Sequence, residues 1–208
     1  MKELIARRAA LLLEEGWVVN LGVGIPTLVA KYLGDAVYLH SENGLLGVGP
    51  PPGPGEVDPN LIDAGKRPVT QRRGASYFDS AASFAMIRGG HVDASVLGAL
   101  QVDERGLIAN WAVPGEPVLG VGGAMDLLAG VRKVVAVMTH TTKEGAPKLV
   151  ERCTLPVTSL RPVDWVVTEL ATFRRGEGGL ALVELAPGVA EADVRARTAA
   201  RYEVRLGG

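Results

Sequence analysis

The opening fifty residues alternate apolar stretches with short Gly and Pro breaks, and that alternation restricts the chain to one class of fold. Leu4, Ile5, Ala9, Leu12 and Leu13 share one side of a helix, which Gly16 stops. Trp17-Val18-Val19-Asn20-Leu21 reads as a buried strand, and Gly22-Val23-Gly24-Ile25-Pro26 as a turn. The proline sits where it opens a helix at its first turn, over residues 27–33. A second strand follows, with Tyr38 leading to Glu42. A helix between two short apolar strands returns the chain to run parallel to itself, so this is a βαβ opening and the class is α/β.

The same punctuation continues. A helix is expected over 79–87, stopped by Gly89-Gly90, and a strand over 94–100. Asp103-Glu104-Arg105-Gly106 reads as a hairpin turn returning through Leu107-Ile108-Ala109. A glycine loop over 118–123 leads into a short helix, 124–128, and then a strongly apolar strand, 133–139. Strands over 165–170 and 180–185 are linked through Arg174-Arg175-Gly176-Glu177-Gly178-Gly179, and a helix over 191–201 closes the chain. Residues 47–75 carry Asp58, Asp63, Lys66, Arg67, Arg72 and Arg73 among Gly and Pro, and read as a long surface excursion. There is no internal repeat and no linker. Residues 1–208 are therefore expected to form one domain with a substantial core.

Charge and composition narrow the function. A formal net charge of -1 gives no reason to expect nucleic acid or an anionic membrane as partner. The single cysteine, Cys153, allows no internal disulfide and suits a reducing cytoplasm. The first residues carry scattered charges and no small-residue cleavage site, unlike a signal peptide, and no apolar run is long enough to cross a bilayer. A 47% apolar content suggests that some apolar surface is covered by a partner.

Three segments are candidates for chemistry. Glu42 stands between a buried strand and the apolar pair Leu45-Leu46, with Asn43-Gly44 as a tight turn between them. A solvated glutamate capping a strand is the common case, but these flanks point to a carboxylate held rigidly at a ligand-binding edge, as a nucleophile or base. Gly22-Val23-Gly24 lacks the third glycine of a dinucleotide fingerprint, since position 27 is Thr. It reads equally as a compact turn or as a backbone that a ligand approaches closely, with Asn20 offering an amide to the same cleft. Gly120-Val121-Gly122-Gly123-Ala124-Met125-Asp126 places glycines before a helix, where free backbone N–H groups can stabilise an oxyanion. His40, His91 and His140 have no metal-ligand spacing and read as structural or surface residues, as does Cys153. There is no Gly-x-Ser-x-Gly elbow. The basic residues Lys66, Arg67, Arg72 and Arg73 read as a solvated face, or as a contact for phosphates or a partner at the cleft edge.

Asn20-Leu21-Gly22-Val23-Gly24-Ile25-Pro26, Ser41-Glu42-Asn43-Gly44 with Leu46-Gly47-Val48-Gly49-Pro50, and Gly122-Gly123-Ala124-Met125-Asp126-Leu127 together resemble the B (beta) subunit of family I coenzyme A transferases, the 3-oxoacid group above all. The resemblance runs in order over nearly the whole chain. It implies a three-layer open, mostly parallel sheet flanked by helices, of the kind shared with ribose-5-phosphate isomerase and glucosamine-6-phosphate deaminase. It implies a separate A-type subunit, usually in an A2B2 assembly, and a coenzyme A thioester as substrate with no tightly bound cofactor or metal.

On this resemblance Glu42 is the nucleophile of a ping-pong cycle through a glutamyl-CoA thioester, and the N–H of Gly123 is the oxyanion donor. Asn20, Gly22, Gly24, Asn43, Gly44 and Gly122 would line the substrate site. The exchange would move CoA between an acyl-CoA, such as succinyl-CoA or acetyl-CoA, and an acid such as acetoacetate. A hydrolase or a sugar-phosphate isomerase on the same fold is the competing enzymatic reading, and a ligand-binding subunit without catalysis is the third.

Overall fold

The computed structural model describes residues 1–116 and 120–207. Helix α1 (Lys2–Ala10) leads to β1 (Val18–Leu21), then α2 (Ile25–Leu28), which tightens into a 3-10 turn over Val29–Tyr32. Strands β2 (Tyr38–Ser41), β3 (Leu45–Val48) and β4 (Gln71–Tyr77) follow, then α3 (Ser80–Arg88), β5 (Ala94–Gly98), β6 (Gln101–Asp103) and β7 (Ile108–Ala109). The second half holds α4 (Ala124–Gly130), β8 (Lys133–Val137), β9 (Leu149–Val150), β10 (Trp165–Val167), β11 (Ala171–Gly176), β12 (Gly179–Leu185), α5 (Glu191–Arg195) and β13 (Tyr202–Val204).

Ten strands form one sheet in the order β13-β12-β11-β10-β8-β5-β1-β2-β3-β4. Its centre, β10-β8-β5-β1-β2, is parallel throughout; antiparallel pairs extend it on both sides, to β12 and to β4, and β13 pairs parallel to β12. Strands β7, β6 and β9 make a small second sheet.

The three layers follow from the two-residue period of the central strands. Val135, Val137 and Val167 point to one face, where Ile5, Ala6 and Ala9 of α1 cover them. Val134, Ala136 and Val166 point to the other, against Ile87 of α3 and Leu127 and Leu128 of α4. Strands buried on both faces have no polar side, which is why β8 reads as a continuous apolar run.

Several boundaries differ from the sequence expectation. The ends of the 47–75 excursion are sheet: β3 and β4 pair antiparallel, with Leu45 opposite Tyr77 and Val48 opposite Gln71. Strand β4, Gln-Arg-Arg-Gly-Ala-Ser-Tyr, is an edge strand with no buried residue, so it carries no apolar alternation to read. The expected link over 174–179 is largely strand, because Arg174 and Arg175 belong to β11. Helix α5 stops at Arg195 and α1 at Ala10, both short of their expected ends. Positions 118 and 119 of the expected glycine loop lie outside the described residues.

The turn joining β2 to β3 depends on Gly44. It adopts φ +124°, and a Cβ there would lie 2.0 Å from the carbonyl oxygen of Phe78, whose N–H donates to the Gly44 carbonyl at 3.1 Å. Gly44→Ala should therefore cost about 3 kcal/mol or more, read as a fall in the thermal midpoint.

Two histidines make stability depend on pH. His40 and His140 are 4% and 0% exposed, and burial lowers each to about 4, with Arg197 adding to the effect at His140. In the unfolded chain each returns to about 6.5. Between pH 6.5 and 4 the unfolded chain thus binds more protons than the folded one. Stability falls as pH drops through that window, by up to about 3 kcal/mol per histidine, and the loss levels off below it. Thermal midpoints measured from pH 7 to pH 4 should decline, and replacing His140 by Asn should flatten the slope.

Candidate active site

Strands β1 and β2 run parallel, so both present their carboxyl ends at one edge of the sheet, where open α/β sheets hold ligands. Glu42 follows the last residue of β2, in the turn to β3, and is half-buried. Asn20, in β1, is fully buried, and its Nδ2 donates to Glu42 Oε2 at 2.8 Å. The register places Asn20 directly opposite His40, and Asn20 Nδ2 also lies 3.3 Å from His40 Nδ1. His40 Nε2 is 3.1 Å from Ser83 Oγ on α3, and the ring stacks on Phe78 with centroids 5.9 Å apart.

The glycine loop closes on the other carboxylate oxygen. A Cβ on Gly123 would lie 3.2 Å from Glu42 Oε1 and 3.2 Å from the Phe84 ring. Gly123 and Glu42 are therefore neighbours in space, as a donor to an oxyanion at the Glu42 carboxyl would require. Gly122 has φ +54° and open space where a side chain would stand.

The expected residues fall into two groups. Asn20, Glu42 and Gly123 come together directly. Gly22 packs against β5, where its N–H donates to Val96 O at 2.9 Å and a Cβ would lie 3.2 Å from that oxygen. Gly24, at φ +95°, caps α2 and has open space at its Cβ position. Asn43 Nδ2 donates to Ile62 O at 2.8 Å, and the Ala64 N–H donates to Ser41 Oγ at 2.9 Å. The residues on either side of Glu42 thus tie the 47–75 excursion to the sheet edge. There a tight turn, closed by the Asp63–Arg67 ion pair at 2.5 Å, lies against Val23, whose Cγ2 would be 3.1 Å from a Cβ on Gly65.

His40, Ser83, Phe78 and Phe84 are the residues that sequence reasoning missed around Glu42. One signal was present: His40 lies two residues before Glu42, so strand alternation puts the two on one face.

A surface cavity of ≈ 460 Å³ is lined by Glu104, Arg175, Arg201 and Tyr202, and by none of these site residues. Two of its charges are already matched, with Arg201 on Glu104 at 2.8 Å. No group of three or more potential metal ligands occurs among the described residues. No helix among them is long and apolar enough to cross a membrane.

A parallel sheet covered on both faces, with a half-buried carboxylate at its carboxyl edge between an amide donor and a glycine loop, has the form of an α/β ligand-binding domain. The coenzyme A transferase family model matches residues 2–196, and the chain belongs to that family, whose members use a coenzyme A thioester as substrate. It is 52% identical over 205 residues to the beta subunit of the acetate CoA-transferase of Escherichia coli K12, covering 98% of this chain and 94% of that one. It is 48% identical over 207 residues to the B-type subunit of the succinyl-CoA:3-ketoacid coenzyme A transferase of Helicobacter pylori 26695, covering 99% and 100%. Among solved structures, the acyl-CoA transferase YdiF of E. coli O157:H7 superposes with TM-score 0.77 as apoenzyme and 0.73 as a thioester complex with CoA, at 26% identity. The match covers all of this chain and 43% of that longer polypeptide. The chain is a CoA transferase, and the hydrolase, isomerase and purely binding readings give way to that assignment.

Proposed function

We propose that this chain is the B-type, nucleophile-bearing component of a CoA transferase, working with a separate A-type subunit, and that Glu42 is the group acylated. The observation that carries the assignment is the grip on this one carboxylate: an amide nitrogen donating to Oε2 at 2.8 Å, and a glycine whose Cβ would crowd Oε1 at 3.2 Å.

In the first half-reaction a Glu42 carboxylate oxygen attacks the acyl carbon of an acyl-CoA. The thioester C–S bond breaks, CoA leaves as thiolate, and an acyl-glutamyl anhydride forms. The thiolate then attacks the glutamyl carbonyl carbon, expelling the first acid as carboxylate and leaving a glutamyl-CoA thioester. A second carboxylate runs the sequence backwards and departs as its CoA ester, which regenerates Glu42. One thioester replaces another with no net proton or electron change, so the balance requires neither ATP nor a resident cofactor.

Each attack places negative charge on a carbonyl oxygen. The Gly123 N–H is the proposed donor to the oxyanion on the glutamyl side, with Gly122 shaping the loop. Asn20 holds the attacking carboxylate. Gly22, Gly24, Asn43 and Gly44 set the backbone around the substrate. The anhydride is sensitive to water, so the excursion tied down by Ser41 and Asn43, with the A-type subunit, is assigned the task of excluding it.

The acyl donor and acceptor are proposed to be short acyl-CoAs and a small acid of the acetate or 3-oxoacid type, following the names of the two bacterial relatives. An A2B2 assembly in the cytoplasm completes the reading. The test is to mix the assembled enzyme with acyl-CoA, reduce it with borohydride, and map the products by peptide mass. Reduction of a glutamyl thioester to the alcohol should give a mass loss on the peptide containing Glu42. An unmodified Glu42 in a preparation that binds acyl-CoA would remove it as nucleophile.

A further inference from the structure

The Asn20 amide can face Glu42 in either of two ways, and only one helps. With Nδ2 toward the carboxylate it donates a hydrogen bond; turned over, Oδ1 would oppose a carboxylate oxygen. Asn20 cannot make that choice alone. Its Oδ1 is buried and has no hydrogen-bond partner among the described residues, and neither does the Oγ of Ser95, its register neighbour on β5. No described residue hydrogen-bonds the amide oxygen, so the orienting contacts on the protein side are the acceptors facing Nδ2.

There are two such acceptors: Glu42 Oε2 at 2.8 Å and His40 Nδ1 at 3.3 Å. Nδ2 carries two hydrogens, one for each. The second bond requires a lone pair on His40 Nδ1, which places the imidazole proton on Nε2. Nε2 lies 3.1 Å from Ser83 Oγ, which accepts that proton's hydrogen bond. The ring plane is held by Phe78, stacked at 13° to it. If the proton moved to Nδ1, the imidazole would donate toward Asn20 and favour the reversed amide.

We propose that His40 is a positioning residue for the transfer reaction: its Nδ1 lone pair, kept free because Ser83 Oγ accepts the Nε2–H hydrogen bond, turns the Asn20 N–H groups toward Glu42 and so aims the nucleophile. Burial agrees with this role, since it lowers His40 to about 4 and keeps the ring neutral. The inference rests on Glu42 being the nucleophile, as proposed above. It adds that the direction of the carboxylate is set two hydrogen bonds away, by a residue that touches no substrate.

The test is the single-turnover rate of glutamyl-thioester formation in the complex with the A-type partner, trapped with borohydride, together with the steady-state KM for acyl-CoA. His40→Leu removes the acceptor. It should slow thioester formation by about 10- to 100-fold, the range expected for a misaimed nucleophile, while KM stays within about twofold. His40→Gln keeps an acceptor for Asn20 and a donor for Ser83, and should recover the rate to within about fivefold of the unaltered protein. Ser83→Ala frees the ring to change tautomer, and should fall between the two.

Equal losses in His40→Leu and His40→Gln would overturn the proposal, and so would an unchanged rate in His40→Leu. If His40→Leu does not fold, the comparison of His40→Gln with Ser83→Ala decides: the proposal requires Ser83→Ala to be the slower of the two. The failures are distinguishable. If the unaltered complex forms no reducible adduct at Glu42, the nucleophile assignment falls and takes this inference with it. If it forms the adduct and the variants do not rank as stated, only the inference falls.

Discussion

Glu42→Gln should leave CoA exchange at least about 10⁴-fold below the unaltered protein, with the fold intact. Glutamine has the length and shape of glutamate but no anionic oxygen to attack an acyl carbon, so neither the anhydride nor the thioester can form. Its carbonyl oxygen can still accept the N–H that Asn20 now gives to Glu42 Oε2 at 2.8 Å, so the hydrogen bond that anchors the side chain survives. Only the charge is lost, and at a half-buried position facing the sheet edge that should move the thermal midpoint by no more than a few degrees.

Glu42→Asp separates geometry from charge. Aspartate is anionic but one methylene shorter, which withdraws the oxygens from Asn20 and from the loop at Gly123. Its rate should fall by about 10²-fold, the effect of a misplaced attack. The readout is exchange of labelled acid into acyl-CoA, with borohydride trapping as the second. A Glu42→Gln protein that still exchanged label at a tenth of the normal rate would end the nucleophile assignment.

What could be read in the sequence follows how each element is stabilised. The central strands were legible because burial on both faces leaves them largely apolar, as in β8, where Val134-Val135-Ala136-Val137 follow an exposed Lys133. Strand β4 was not, since an edge strand with no buried residue has only its backbone pairing to declare it. Glu42 and Gly123 stood out because local sequence carries their signal: a charge between apolar flanks, and glycines clustered before a helix. Their nearness is another matter. About eighty residues separate them, and the resemblance to a known family, not spacing, suggested that they work together.

His40 shows the limit most clearly. Its part in the site depends on the β1–β2 register, which sets it opposite Asn20, and on α3 delivering Ser83 from the next layer. Neither pairing has a local signature. Alternation alone makes His40 a strand residue two places before Glu42, and a lone histidine in a strand reads as structural. The tertiary contacts turn it into a candidate for aiming the nucleophile.

Gly123→Ala should be the second large loss, and it should act on the reaction rather than on folding. Gly123 adopts φ -79° and ψ 0°, which alanine adopts readily, so the backbone carries no objection. The added methyl, however, would stand 3.2 Å from Glu42 Oε1 and 3.2 Å from Cε1 of Phe84. Phe84 is partly buried and packs against the hydrophobic core, so the carboxylate is the neighbour that yields. Pushing it aside misaims the attack and separates the developing oxyanion from the Gly123 N–H. Either effect alone is worth about 10²-fold in kcat, so a loss of about 10²- to 10³-fold is expected, with the thermal midpoint little changed. Gly122→Ala is the control one residue away. Its φ of +54° costs about 1 kcal/mol of stability with an alanine there, so it should lower the thermal midpoint more than Gly123→Ala does. If Gly123→Ala kept its activity, or lost stability more than Gly122→Ala does, the loop would be a structural turn and the oxyanion donor would have to be sought elsewhere.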